Sequence, residues 1–88
     1  MSEIKLVIRN KVGLHARPLA LFNDVVKRFQ SDVRISKDGK EVNAKSPFKV
    51  LALAVNQNDE VVLRAEGPDA DAALAAIAQL VADNFGER

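Results

Sequence analysis

The spacing of apolar residues changes several times along this 88-residue chain, and these changes constrain its fold more than any other feature. Apolar and polar residues alternate over positions 4–8, which predicts a half-buried strand. From position 16 to 29, apolar residues recur every three or four positions, which predicts a helix with one buried face. The chain therefore begins with a strand that is followed directly by a helix.

The same reasoning extends to the rest of the chain. A second strand begins at Val33, and Asp38-Gly39 is a hairpin signal that leads into a third. Ser46-Pro47 predicts the start of a short helix over residues 48–55, with Ser46 as N-cap and Pro47 at the first helical position. Alternation over 61–66 predicts the last strand. Asp69 is then the predicted N-cap of a helix that continues to Gly86.

The predicted order is βαββαβα, without repeats or linkers. Strands grouped with helices indicate an α+β, open-faced β-sandwich, in which one sheet is covered on one side. We therefore expect residues 1–88 to form a single domain.

Composition excludes several classes of function. The chain has no cysteine and one histidine, so disulfide scaffolds, thiol catalysis and most zinc sites are excluded, and we expect no metal or cofactor. The longest apolar run covers residues 72–78, far short of the roughly 20 residues that a membrane-spanning helix needs. No charged-then-apolar leader opens the sequence, so we expect a cytoplasmic protein with no membrane partner.

Charge is unevenly distributed along the chain. Residues 1–49 hold 11 basic and 5 acidic side chains, whereas residues 50–88 hold 2 and 7. One basic face suited to an anionic partner would follow from this asymmetry. Mutual attraction of the two halves in the folded domain would explain it equally well.

His15 stands out by its position. It falls between a glycine-containing loop and the helix predicted to begin at Ala16, where backbone N–H groups lack intrahelical partners. An anion beside His15 would find these donors, and the Arg17 guanidinium can grip phosphate oxygens. Pro18 in the first turn costs no hydrogen bond. These residues suggest phosphoryl capture on His15, although a simple polar capping role remains the alternative.

The segment Gly13–Pro18 (GLHARP), followed later by Asn43-Ala44-Lys45-Ser46, resembles HPr, the histidine-containing phosphocarrier family of the phosphoenolpyruvate-dependent sugar phosphotransferase system. The resemblance covers nearly the whole chain. It implies a four-stranded antiparallel sheet with three helices on one face. It also implies a carrier, not an enzyme, in which His15 accepts a phosphoryl group from phospho-enzyme I and passes it to enzyme IIA domains, with Arg17 as phosphate partner.

The resemblance also implies a role for Ser46, as the counterpart of a serine that a dedicated kinase phosphorylates in some bacteria. Such a kinase or phosphorylase would then be a further partner. Helix capping, worth roughly 1 kcal/mol relative to alanine, explains Ser46 equally well. A phosphate at this position would also meet a favourable helix N-terminus.

Four residues are candidates for partner docking: Leu14, Leu21, Phe48 and Lys49. Core packing is the alternative for the three apolar ones. Phe48 is the best candidate, because it lies in the first turn of the short helix and matches the family's exposed apolar patch. We expect these contacts to be made by a monomer.

Some residues depart from the family's usual pattern, among them Val12, Asp24 and Pro47, and Asn10-Lys11 is similar to the nitrogen-related branch. A nitrogen-branch or mainly regulatory HPr-like protein is therefore the first alternative.

Two alternatives belong to other classes of function. A small basic α/β nucleic-acid-binding module is disfavoured by the absence of Trp and Tyr, so we expect no nucleic-acid partner. A hydrolase using His15 and Ser46 is also disfavoured, because no third residue is evidently placed to orient the imidazole.

Overall fold

A computed structural model of the protein describes residues 2–87. Its helices and strands follow the predicted βαββαβα order, and a 3₁₀ turn follows the last helix. They are β1 (Ser2–Val7), α1 (Ala16–Lys27), β2 (Asp32–Lys37), β3 (Lys40–Asn43), α2 (Pro47–Ala52), β4 (Glu60–Glu66), α3 (Ala70–Ala82) and the 3₁₀ turn Asn84–Gly86. The predicted α+β class is confirmed.

The strands form one antiparallel sheet in the order β1-β4-β2-β3. The long central strand β4 pairs with β1 on one side and β2 on the other, so that Leu63 lies opposite both Ile4 and Ile35. Alternate residues of β4 are buried, and they pack in one core with buried side chains of the helices, such as Phe22 and Ile77. The helices therefore cover one face of the sheet, as the open-faced sandwich predicts.

The other face of the sheet carries charged side chains. Arg64 of β4 lies between Glu3 of β1 and Glu41 of β3, with N–O distances of 3.6 and 3.0 Å. Arg34 pairs with Asp32 along β2 at 3.2 Å. Such partly exposed pairs contribute little to stability, so the uncovered face is a solvated one.

Two predicted helix ends are wrong, and both errors have the same physical cause. The short helix α2 ends at Ala52 instead of residue 55, because Ala54 adopts a left-handed backbone (φ 56°) and the chain then buries Val55 completely. The last helix ends at Ala82 instead of continuing to Gly86. Left-handed backbone at Asn84 and Phe85 turns the Phe85 ring into the core.

Asp69 occupies the predicted N-cap position of α3, but its side chain does not cap that helix. Its carboxylate instead accepts hydrogen bonds from the backbone N–H groups of Gln30 and Ser31, both at 2.9 Å, and from the Ser31 hydroxyl. Asp69 thus ties the start of α3 to the connection between α1 and β2.

No helix within residues 2–87 has the length and apolar character needed to cross a bilayer.

Candidate functional site

His15 is the N-cap residue of α1, as predicted from the sequence. Its backbone is extended (φ −129°, ψ 161°), and its ring is half-buried and makes no hydrogen bond to the helix it precedes. The first N–H groups of α1 have no intrahelical partners at this end. The imidazole therefore lies beside a helix start that favours anions without being occupied in capping it.

The residue after His15 has an unusual backbone. Ala16 is the first residue of α1, yet its φ is 47°, a left-handed value that side chains other than glycine rarely adopt. Arg17 follows it and is exposed, whereas Pro18 is buried. Strained backbone of this kind persists only where the surroundings fix it, and it is concentrated at functional sites.

The side chain of Asn56, which is distant from His15 in sequence, lies against the ring of His15. The Nε2 of His15 lies 3.3 Å from the Oδ1 of Asn56. An amide oxygen accepts hydrogen bonds, so the contact is a hydrogen bond in the tautomer that carries a hydrogen on Nε2. In that neutral tautomer the lone pair of the ring lies on Nδ1.

The sequence shows no residue evidently placed to orient the imidazole, and the structure brings Asn56 to that position. Asn56 follows His15 by 41 residues, and in the sequence it stands only in a polar run that ends a predicted helix. The polar segment between α2 and β4 was the only available signal, and it does not reveal which side chain faces the histidine.

The predicted docking residues divide into exposed and buried ones. Phe48 is 84% exposed and Lys49 is also exposed, which leaves both accessible to a partner. Leu14 is only 1% exposed and belongs to the core, so its prediction as a docking residue is wrong. The physical reason is that the Leu14 N–H bonds to the carbonyl of Val55, which draws this residue inward. Leu21 is partly buried against the core.

Two exposed apolar residues are further docking candidates that were not predicted from the sequence. Val12 is 47% exposed and Leu51 is 41% exposed, and the latter follows Phe48 by three residues on α2. Residues three apart on a helix lie on one face, so Phe48 and Leu51 form a continuous apolar surface.

Ser46 is the N-cap residue of α2 and Pro47 occupies the first turn, as predicted. The Ser46 side chain, however, makes no capping hydrogen bond, so the predicted capping interaction is wrong. Its backbone carbonyl instead accepts the N–H of Val50 at 3.0 Å. The segment before Ser46 is tied to α1, because the Asn23 side chain donates to the carbonyl of Lys45 at 3.1 Å.

None of the residues from 2 to 87 forms a cluster of three or more histidine and carboxylate side chains that would suit a metal ion.

The sequence matches the family described as PTS HPr component phosphorylation site over residues 2–83. It is 39% identical to the phosphocarrier protein HPr of Xylella fastidiosa (strain 9a5c), with 99% of this chain and 98% of that protein covered. It is 48% identical to the HPr-like protein Crh of Bacillus subtilis, covering 92% of this chain and 95% of that protein.

A longer relative is the multiphosphoryl transfer protein of Vibrio cholerae, which is 47% identical over 91% of this chain. The chain spans only 21% of the length of that protein. Among solved structures, HPr-C-His from Thermoanaerobacter tengcongensis superposes with a TM-score of 0.99 at 44% identity, covering 100% of this chain and 99% of the other. The chain therefore belongs to the HPr family of phosphocarrier proteins of the phosphotransferase system.

Proposed function

We propose that His15 carries the phosphoryl group of a sugar phosphotransferase system on its Nδ1 atom. The bond between phosphorus and enzyme I breaks as the bond between phosphorus and Nδ1 forms. A second transfer then moves the group from Nδ1 to an enzyme IIA domain. The chain is a carrier rather than an enzyme, because it is itself charged and discharged in each cycle.

The contact between His15 Nε2 and Asn56 Oδ1 carries this proposal. It supports the tautomer with hydrogen on Nε2, in which the Nδ1 lone pair is free to attack phosphorus. The unpaired N–H groups at the start of α1 favour the negative charge of the phosphoryl oxygens. Arg17 is exposed two residues away, where an incoming phosphate can reach its guanidinium.

Partner docking is assigned to the exposed apolar surface on α2, with Phe48 as its centre and Lys49 at its edge. Exposed aromatic residues commonly anchor transient interfaces, and a neighbouring lysine increases the association rate with an acidic partner. We further propose that the protein acts as a monomer in the cytoplasm and that Ser46 is a second phosphorylation position, used by a serine kinase where one exists.

A mainly regulatory role is the second candidate. The 48% identity with the HPr-like protein Crh favours it, because the solved structure of that relative is described as the Bacillus subtilis catabolite repression HPr. Family membership argues against the nucleic-acid-binding and hydrolase alternatives.

Incubation with phosphoenolpyruvate and a cognate enzyme I, followed by intact mass measurement, tests the proposal. Wild type should gain the mass of one phosphoryl group, and His15→Ala should gain none while keeping its circular dichroism spectrum. Normal labelling of the alanine variant, or an unlabelled wild type, would overturn the carrier function.

A further inference from the structure

The segment that carries Asn56 connects α2 to β4 and has a demanding backbone. Ala54 and Asn58, on either side of Asn56, have φ values of 56° and 72°. Asn58 belongs to a residue type that tolerates this conformation, but for Ala54 it costs free energy that contacts elsewhere must offset. The position of Asn56 therefore depends on side chains that hold this segment.

Asp59 closes the segment onto Asn56. Its carboxylate Oδ2 accepts the backbone N–H of Asn56 at 2.8 Å, and its own N–H donates to the carbonyl of Asn56 at 3.1 Å. These two hydrogen bonds fix the backbone from which the Asn56 side chain extends toward His15.

Lys37, the last residue of β2, joins both ends of the segment. Its ammonium nitrogen lies 2.9 Å from Asp59 Oδ2 and donates to the carbonyl of Ala54 at 2.6 Å. The same ammonium thus contacts a residue before Asn56 and a residue after it. The rigid sheet, through Lys37, determines where this connection lies.

This ion pair differs from the others within residues 2–87. The side chains of Lys37 and Asp59 are 17% and 30% exposed, whereas those of the other ion pairs are between 35% and 54% exposed. The hydrogen bond from Lys37, followed by that from the Asn56 N–H, holds the pKa of Asp59 below its ordinary value. Asp59 is therefore ionised and is a strong acceptor for the backbone N–H of Asn56.

We propose that Lys37 and Asp59 are positioning residues for the phosphorylation of His15, because together they hold Asn56 against Nε2. Neither residue touches the reacting Nδ1. They act through Asn56, which keeps the ring oriented and its hydrogen on Nε2. This inference rests on the carrier function proposed above.

A double-mutant cycle tests whether the pair acts through Asn56. The measured quantity is the initial rate of phosphoryl transfer from phosphoenolpyruvate and enzyme I. We expect Asp59→Ala and Asn56→Ala each to lower this rate by about tenfold, less than the roughly 100-fold that a full 1 Å misplacement of a reacting group costs. The double variant should be no slower than Asn56→Ala alone. The proposal would be overturned if the two rate reductions multiplied in the double variant, or if Asp59→Ala transferred at the wild-type rate.

Nitrogen NMR of the His15 ring gives a readout that needs no phosphoryl donor. At alkaline pH, the wild-type shifts should correspond to hydrogen on Nε2. In Asp59→Ala and Lys37→Met the two ring shifts should move toward those of free histidine, because the tautomers then exchange. Unchanged shifts in both variants would contradict the proposal. Should Asp59→Ala not fold, Lys37→Met is used in both experiments.

Asp32→Ala is the matched control, because it removes another β2 ion pair at the opposite end of that strand. Its transfer rate and ring shifts should equal those of wild type. An effect as large as that of Asp59→Ala would show a general response to charge and would overturn the assignment. An unlabelled wild type would refute the carrier function alone, since the ring shifts still decide the positioning role.

Discussion

A Cβ atom on Gly13 would lie 2.2 Å from the carbonyl oxygen of Val55. The backbone of Gly13 is also left-handed, with φ at 64°. The next residue, Leu14, donates its N–H to this same Val55 oxygen at 3.0 Å. The loop before His15 thus packs directly on the backbone next to Asn56, and only glycine permits that approach.

We predict that Gly13→Ala lowers the free energy of unfolding by about 3 kcal/mol or more, because the methyl group collides with backbone that cannot yield easily. The same displacement should separate His15 from Asn56 and slow phosphoryl transfer. Urea unfolding measures the first effect, and transfer kinetics of the remaining folded protein measure the second.

Gly39→Ala is the control for this prediction. Gly39 also has a left-handed backbone (φ 83°), but a Cβ there would meet no atom within 4 Å. Its substitution should cost only the backbone strain, about 1–2 kcal/mol. An equal loss of stability in the two variants would show that the contact with Val55 is unimportant.

Phe48 offers a separate prediction about docking. Since its ring is 84% exposed, Phe48→Ala should leave the free energy of unfolding within about 0.5 kcal/mol of wild type. It should raise the KM for this protein in transfer from enzyme I, because an aromatic anchor at an interface often contributes roughly 2 kcal/mol or more. Steady-state transfer kinetics and urea unfolding measure the two quantities.

Phe85→Ala is the matched substitution in the core. Phe85 is 1% exposed, so its loss should cost about 3–5 kcal/mol of stability. Similar stability losses for Phe48→Ala and Phe85→Ala would contradict the exposed position of Phe48.

The sequence predicted the order of strands and helices because apolar spacing reports directly which face of an element is buried. His15 was predicted at the start of α1 because the helical spacing begins just after it, and Ser46 at the start of α2 because Pro47 follows it. The ends of α2 and α3 were not, because the left-handed residues Ala54 and Phe85 are poor candidates for that conformation by type. Only the tertiary burial of the adjoining side chains explains them.

The site was half predictable. His15 and Arg17 lie together in one motif. Asn56 contacts the histidine only because the loop at Gly13 packs against the backbone at Val55. No local pattern encodes a contact between segments so distant in sequence. Leu14 illustrates the converse error, since its place beside His15 suggested exposure while its side chain packs in the core.

Asp69 should make stability depend on pH. The Ser31 hydroxyl, followed by the backbone N–H of Gln30, holds the pKa of the Asp69 carboxyl below its ordinary value of 3.8. The ionised carboxylate is therefore favoured by folding, and its stabilising contribution is present above pH 3.8. This contribution is lost as the pH falls through the lower pKa of the folded state.

Urea unfolding at a series of acidic pH values measures this contribution. Wild type should lose more stability between neutral pH and about pH 3 than Asp69→Asn does, because the amide does not titrate. Ser31→Ala should reduce the difference, since it removes the main cause of the shift. Parallel pH profiles for wild type and Asp69→Asn would contradict the linkage.

Ser46 yields the last prediction, which separates its structural role from its proposed regulatory one. Because the Ser46 side chain makes no capping hydrogen bond, Ser46→Ala should change the free energy of unfolding by less than about 0.5 kcal/mol and leave transfer intact. Ser46→Asp should keep the fold but slow the phosphorylation of His15, because a negative charge beside Phe48 and Lys49 opposes association with an acidic partner. This slowing should diminish at high salt, where the charge is screened. Transfer kinetics of both variants at low and high salt measure the effect, and equal rates for Ser46→Asp and wild type at low salt would exclude Ser46 as a switch.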